Sequence, residues 1–166
     1  IRDRLITPAD RIEIEGLPVC DYLVYPVENA LADKLCALVE RHDRRASSRV
    51  KDLVDIAVYA VTCSIDGGKL RERMLQEGAV RGIVLPETFC IPDEWGAPHE
   101  RQYERLCSQT GLPHSLRSID ASVELAGKLF NPVYVGFADG MTWNPVTRAW
   151  ESVSYTHLTL PTSDLV

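Results

Sequence analysis

Apolar residues recur at helical spacing in two neighbouring segments of the chain. They predict one helix over about residues 27–42 and a second over about residues 49–63. The apolar stripe of the first helix consists of Leu31, Leu35, Leu38 and Val39, and that of the second of Val50, Leu53, Val54, Ala57, Val58 and Val61. Lys34 interrupts the first stripe, so an ammonium group lies on a face that should be buried.

The rest of the pattern predicts three more helices and few strands. The helices are expected over about residues 69–80, 98–110 and 118–130, and short strands over residues 22–26 and 132–136. The sequence DGGK at 66–69 predicts a turn, a proline-rich connector covers 84–98, and Ser47 or Ser48 is suited to cap the second helix. Because strands do not alternate regularly with helices, we predict an α+β fold that is mostly helical.

The two ends of the chain differ in composition from the rest. The tail at 152–166 is rich in Thr and Ser and contains one charged residue, Asp164, and it resembles a translated sequencing adapter, as does IRDR at 1–4. We therefore expect residues 5–151 to be the biological segment, with a disordered tail and a gene cut at both ends. A genuine final strand is the alternative, since YTHLTL at 155–160 is β-prone.

Composition excludes several classes of protein. Hydrophobic residues at 45% and charged residues at 25% are ordinary for a globular domain, and no run of about 18 apolar residues predicts a membrane span. The five cysteines include no CxxC pair, which predicts free thiols in the cytoplasm rather than a zinc site. The net charge of −6 argues against a generally basic nucleic-acid binder, although five cations gather around one aspartate between residues 41 and 51.

Lys34 and the acids of the second helix each allow two interpretations. The stem of Lys34 can lie along the apolar face with its ammonium in water, or the ammonium can lie at the edge of a cleft and attract a polyphosphate. Arg49 and Asp52 are spaced i,i+3, and Lys51 and Asp55 i,i+4, so both can be plain surface ion pairs. This helix has little polar surface left, so an acid on it can also orient a lysine or a substrate group.

Residues 25–60 contain motifs that resemble those of a known family. In order, they are ADKLCAL at 32–38, ER at 40–41, a loop rich in Arg and Ser, and SRVKDLVD at 48–55. The block resembles the signature of the AbiEii/AbiGii nucleotidyltransferase toxins of type IV toxin–antitoxin and abortive-infection systems. The similarity extends over about residues 8–151, through LPETFCIPDEW, TGLPHSL and TWNP.

The resemblance implies the C-terminal portion of a nucleotidyltransferase-like fold that lacks most of its catalytic sheet. Such a parent protein is a cytoplasmic phage-defence enzyme that uses a nucleoside triphosphate (NTP) and Mg²⁺ to transfer a nucleotide to RNA, with tRNA as the expected acceptor and a cognate antitoxin as partner. Lys34 matches the lysine that contacts the triphosphate, and Asp52 and Asp55 match the acids of the later motif. Arg49 and Arg45 are then expected to contact the phosphates.

One departure from the family pattern bears on activity. The glycine–serine turn and the paired metal-binding aspartates of the family are not found in residues 1–30, and Glu13 and Glu15 fall after the place where those acids belong. A non-catalytic helical module that binds an antitoxin or another partner through its half rich in Pro and Trp is therefore the alternative.

We expect this chain on its own not to transfer nucleotides, because without those carboxylates it lacks the ligands that would hold Mg²⁺. The measurement is incubation of the chain with labelled NTPs, tRNA and Mg²⁺, followed by electrophoresis of the RNA. Robust incorporation of label would contradict the expectation.

Overall fold

The structure is a computed structural model that describes residues 5–6, 22–23, 25–41 and 48–153. Its helices are α1 (Val27–Val39), α2 (Val50–Thr62), α3 (Gly67–Arg81), α4 (Ala97–Cys107) and α5 (Ile119–Tyr134), with a short 3₁₀ turn at His114–Leu116. Its strands are β1 (Leu5–Ile6), β2 (Tyr22–Leu23), β3 (Ile65–Asp66), β4 (Met141–Asn144) and β5 (Ala149–Ser152). The predicted α+β, mostly helical class is confirmed. None of the described helices combines the length and apolar character needed to cross a bilayer.

The core forms where α2 packs against α1 on one side and α5 on another, with α3 packed against α1. Leu31, Leu35 and Leu38 of α1 are fully or almost fully buried, as the periodicity predicted. Phe130 of α5 stacks on Phe89 of the connector with ring centroids 5.5 Å apart, so the connector is anchored to the core. Burial of these side chains stabilises the helices more than their intrinsic propensity does.

Trp143 joins the small C-terminal sheet to the helices. In this antiparallel sheet of order β3-β4-β5, Trp143 pairs with Ile65 on one side and with Trp150 on the other. Its side chain is fully buried, and its indole Nε1 donates a hydrogen bond of 2.7 Å to the carbonyl of Ala60 in α2. The sheet is therefore fixed against α2 by packing and by a hydrogen bond.

The first turn of α3 packs against the backbone of Ala138, in the turn that follows α5. The Asp66 side chain caps the helix by accepting from the Lys69 amide, and the helix begins at Gly67 rather than at residue 69. A Cβ atom placed on Gly67 would lie 2.1 Å from the carbonyl oxygen of Ala138. Glycine is therefore required there by the space available rather than by its backbone angles.

Three local predictions were wrong. The predicted turn at 66–69 is instead the end of β3 and the start of α3. Residues 132–136 do not form a strand, because α5 continues through Pro132 to Tyr134 and Val133 is buried. The N-cap of α2 is Arg49 rather than a serine, and no side chain among the described residues caps it. The arginine loop between α1 and α2 falls largely within residues 42–47, outside the described residues.

Candidate functional site

Lys34 faces helix α2 from the middle of α1. The residues on either side of it in the apolar stripe, Leu31 and Leu35, are fully buried and fix the face that α1 turns toward the core. The Lys34 side chain is consequently only 21% exposed, and its ammonium does not extend into bulk water. A charge in this position requires partners, because an unpaired ammonium loses its hydration on burial.

Two carboxylates of α2 supply those partners. Lys34 Nζ donates to Asp55 Oδ2 at 2.7 Å and lies 3.4 Å from Asp52 Oδ1. The two acids lie three residues apart on the first turns of α2, so they project toward the same side. Their position near the helix N-terminus is also favoured by the helix dipole. The structure thus brings the predicted lysine and both predicted acids together.

Two more cations complete what we call the α1–α2 cluster: Lys34, Arg49, Lys51, Asp52 and Asp55. Lys51 Nζ contacts Asp55 Oδ2 at 2.8 Å, and Arg49 Nη1 contacts Asp52 Oδ2 at 3.5 Å. Three cations against two carboxylates leave the cluster with one net positive charge. Arg49 and Lys51 are 63% and 70% exposed, so the excess positive charge lies on the solvent side.

The pKa shifts of Lys34 and Asp55 both favour the charged forms of these two groups. Burial acts to lower the pKa of the Lys34 ammonium, but the hydrogen bond and charge of Asp55 and the charge of Asp52 outweigh it and raise that pKa. Burial acts to raise the pKa of Asp55, but hydrogen bonds from Lys34 and Lys51 outweigh it and lower that pKa. Neither group titrates near neutral pH, so both act by charge and position rather than by proton transfer.

The two acids are held to different degrees. Asp55 accepts two short contacts, from Lys34 at 2.7 Å and Lys51 at 2.8 Å. Among the described residues, the contacts of Asp52 are the longer ones to Lys34 and Arg49, at 3.4 and 3.5 Å, and its side chain is 15% exposed. Asp55 is therefore suited to hold the two lysines in place, and Asp52 retains more capacity to accept a hydrogen bond from another group.

The structure does not describe the other candidate residues. Arg45, Glu13 and Glu15 lie outside the described residues. Within the described ranges, no group of three or more His, Cys, Asp or Glu side chains is arranged to hold a metal ion. Asp52 and Asp55 already accept from cations, so Mg²⁺ does not fit among the described residues.

A second polar cluster was not predicted. Arg81 of α3 contacts Glu77 at 2.5 Å, Glu40 at 3.2 Å and Asp33 at 3.8 Å. The hydroxyl of Tyr25 also donates to Asp33. Only the i,i+4 spacing of Glu77 and Arg81 was visible in the sequence, because the other contacts depend on how α1 packs on α3.

Comparison with known proteins adds one match. A family model described as nucleotidyl transferase AbiEii toxin, type IV TA system, matches residues 1–151. No curated protein matches the chain. No solved structure matches it either.

Proposed function

Because the chain belongs to the AbiEii nucleotidyl transferase toxin family, we propose that its α1–α2 cluster binds the triphosphate of an NTP. In the parent enzyme this binding serves nucleotide transfer to an RNA acceptor, with tRNA as the first candidate. The family places the protein in a type IV toxin–antitoxin system, with an antitoxin as its partner. The observation that carries the proposal is the convergence of Lys34, Asp52 and Asp55 between two helices.

Charge supports a phosphate ligand. A triphosphate needs cations that remain protonated at neutral pH, and the raised pKa of Lys34 keeps its ammonium charged. Arg49 and Lys51 extend that charge toward solvent, where an incoming phosphate arrives first. No described side chain caps the N-terminus of α2, and the helix dipole there favours an anion.

Position supports different roles for the two acids. We assign Asp55 the role of a positioning residue, because its short contacts hold both Lys34 and Lys51. We assign Asp52 the role of orienting the acceptor hydroxyl, because its contacts are longer and an acceptor group can compete for them.

NTP binding by the full chain tests the proposal. We expect a labelled NTP to bind with an affinity that falls as salt rises, and Lys34→Met to weaken binding at least about tenfold, because the cluster then carries two carboxylates against two cations. Fluorescence anisotropy in Mg²⁺ buffer measures both effects.

Matched variants separate a local effect from unfolding. Lys128 is an exposed lysine of α5 paired with Glu124 at 2.8 Å, and Lys128→Met should leave the affinity unchanged. Lys51→Gln changes a 70% exposed side chain and should weaken binding without loss of the fold. The proposal fails if Lys34→Met, Lys51→Gln and Lys128→Met all bind the NTP as the unchanged chain does.

A further inference from the structure

Tyr59 of α2 is an aromatic residue beside the α1–α2 cluster that the proposed function does not use. It follows Asp52 by two turns of the helix and Asp55 by one, and at about 100° per residue it lies between these two acids around the helix axis. Aromatic side chains in a helix point back toward its N-terminus, which directs the Tyr59 ring toward Asp55. A ligand that extends from the cluster along α2 therefore meets this ring next.

The hydroxyl of Tyr59 is available to a ligand. The ring is partly buried and packs against the core. The hydroxyl has no hydrogen-bond partner among the described residues, and the unpaired polar side-chain atoms that are buried there belong to Arg71 and Tyr134. The Tyr59 hydroxyl therefore reaches solvent, where it can both donate and accept a hydrogen bond.

Two contacts show how α1 and α2 lie beside each other. Lys34 Nζ donates to Asp55 Oδ2 at 2.7 Å, and the amide of Asp66, just beyond α2, donates to Glu28 Oε1 at 3.0 Å. Later residues of α2 thus lie beside earlier residues of α1, so the two helices are antiparallel. Tyr59 is consequently one turn from the cluster in the direction of the start of α1.

The order of groups along α2 fits the order of groups in a nucleotide. Arg49 and Lys51 lie at the exposed start of α2, Lys34 contacts Asp55 one turn further, and Tyr59 follows after another turn. At 1.5 Å per residue, Arg49 and Tyr59 are about 15 Å apart along the helix axis. The terminal phosphate carries the most charge, so we place it at the two exposed cations. The ribose follows the α-phosphate directly and then comes nearest to Tyr59.

We propose that Tyr59 binds the ribose of the NTP, with its hydroxyl hydrogen-bonded to a ribose hydroxyl. This inference rests on the proposed function, because it requires the triphosphate to lie on the α1–α2 cluster. A phenol hydroxyl that donates and accepts is matched by a sugar hydroxyl, which does both. The chain should therefore prefer ribonucleotides to dideoxynucleotides, which lack both ribose hydroxyls.

Isothermal titration calorimetry of the full chain in Mg²⁺ buffer tests the inference. The probes are inorganic triphosphate, the four ribonucleotides ATP, GTP, CTP and UTP, and their 2′,3′-dideoxy forms. For the ribonucleotide that binds most tightly, the dideoxy form should bind about fivefold more weakly, because one hydrogen bond is lost. Tyr59→Phe should raise the Kd of that ribonucleotide about fivefold, remove its advantage over the dideoxy form and leave the Kd of inorganic triphosphate unchanged.

A second tyrosine provides the matched control. Tyr25→Phe removes a hydroxyl that is bonded to Asp33 rather than to any member of the cluster, and it should leave every Kd unchanged. A ribonucleotide preference that survives Tyr59→Phe, or equal Kd values for the two sugars in the unchanged chain, would overturn the role of Tyr59. If inorganic triphosphate bound the unchanged chain and Lys34→Met equally, the proposed function itself would fail, and this inference with it.

Discussion

Replacing Trp143 with alanine is expected to lower the free energy of unfolding by about 3–5 kcal/mol. The side chain is fully buried, so its removal leaves a cavity between β4 and α2. The substitution also removes the indole donor and leaves the carbonyl of Ala60 without that partner. Urea unfolding followed by circular dichroism measures the change.

The neighbouring tryptophan is the control for this prediction. Trp150 contacts Trp143 edge-on, with centroids 5.5 Å apart, and donates to the carbonyl of Leu129 at 3.1 Å, but it is only partly buried. Trp150→Ala should therefore cost less than Trp143→Ala. The reverse order, or a loss below about 1 kcal/mol for Trp143→Ala, would mean that β4 does not contribute to the core as described.

Replacing Lys34 with methionine is expected to destabilise the fold by about 1–3 kcal/mol at pH 7, because Asp52 and Asp55 lose their shared cation. Removing one partner of a fully buried pair costs about 3–5 kcal/mol. The smaller value applies here since the side chains are 15–23% exposed and Lys51 and Arg49 still contact the acids. Thermal and urea unfolding of the unchanged chain and of the Lys34→Met variant measure the difference in stability.

The pH dependence of that difference follows from the directions of the two pKa shifts. The pKa of Asp55 is lowered by folding, so its stabilisation is present above the ordinary carboxyl pKa and is lost as pH falls through the folded-state value. The pKa of Lys34 is raised, so its stabilisation is present below the ordinary lysine pKa and is lost as pH rises through the folded-state value. We expect the difference in unfolding free energy to be constant between about pH 4 and pH 10, and to become smaller below and above that range.

A double variant isolates the interaction itself. Combining Lys34→Met with Asp55→Asn should cost less than the sum of the two single changes, because each single change already breaks the 2.7 Å contact. Lys128→Met should show no comparable pH dependence, since Lys128 is 59% exposed. An unfolding free-energy difference for Lys34→Met that is the same at pH 3 and pH 7 would contradict the assigned contacts.

The helices could be predicted where one face is apolar and the neighbouring positions agree with it. Leu31, Leu35 and Leu38 of α1 are examples, because helical spacing alone decides which side they bury. The segment at 132–136 could not be predicted as helix, because Pro132 disfavours a helix interior and the β-branched valines favour a strand locally. Burial of Phe130 and Val133 in the core outweighs that local preference and keeps the segment helical.

The membership of the candidate site was also only partly predictable. Spacing within α2 placed Asp52 and Asp55 near each other, and the family resemblance singled out Lys34. Which acid lies closer to Lys34 depends on how far α1 is shifted along α2, and no pattern within either helix encodes that shift. The sharing of Asp55 between Lys34 and Lys51 is likewise a consequence of packing.

The contact between Gly67 and Ala138 has a consequence for synthesis on the ribosome. The start of α3 reaches its final packing only against a turn that is translated about seventy residues later. Strand β3, just before it, likewise has no partner until β4 has left the exit tunnel. The nascent chain can therefore dock α3 on α1 early, and the β4–β5 hairpin completes the packing at the start of α3.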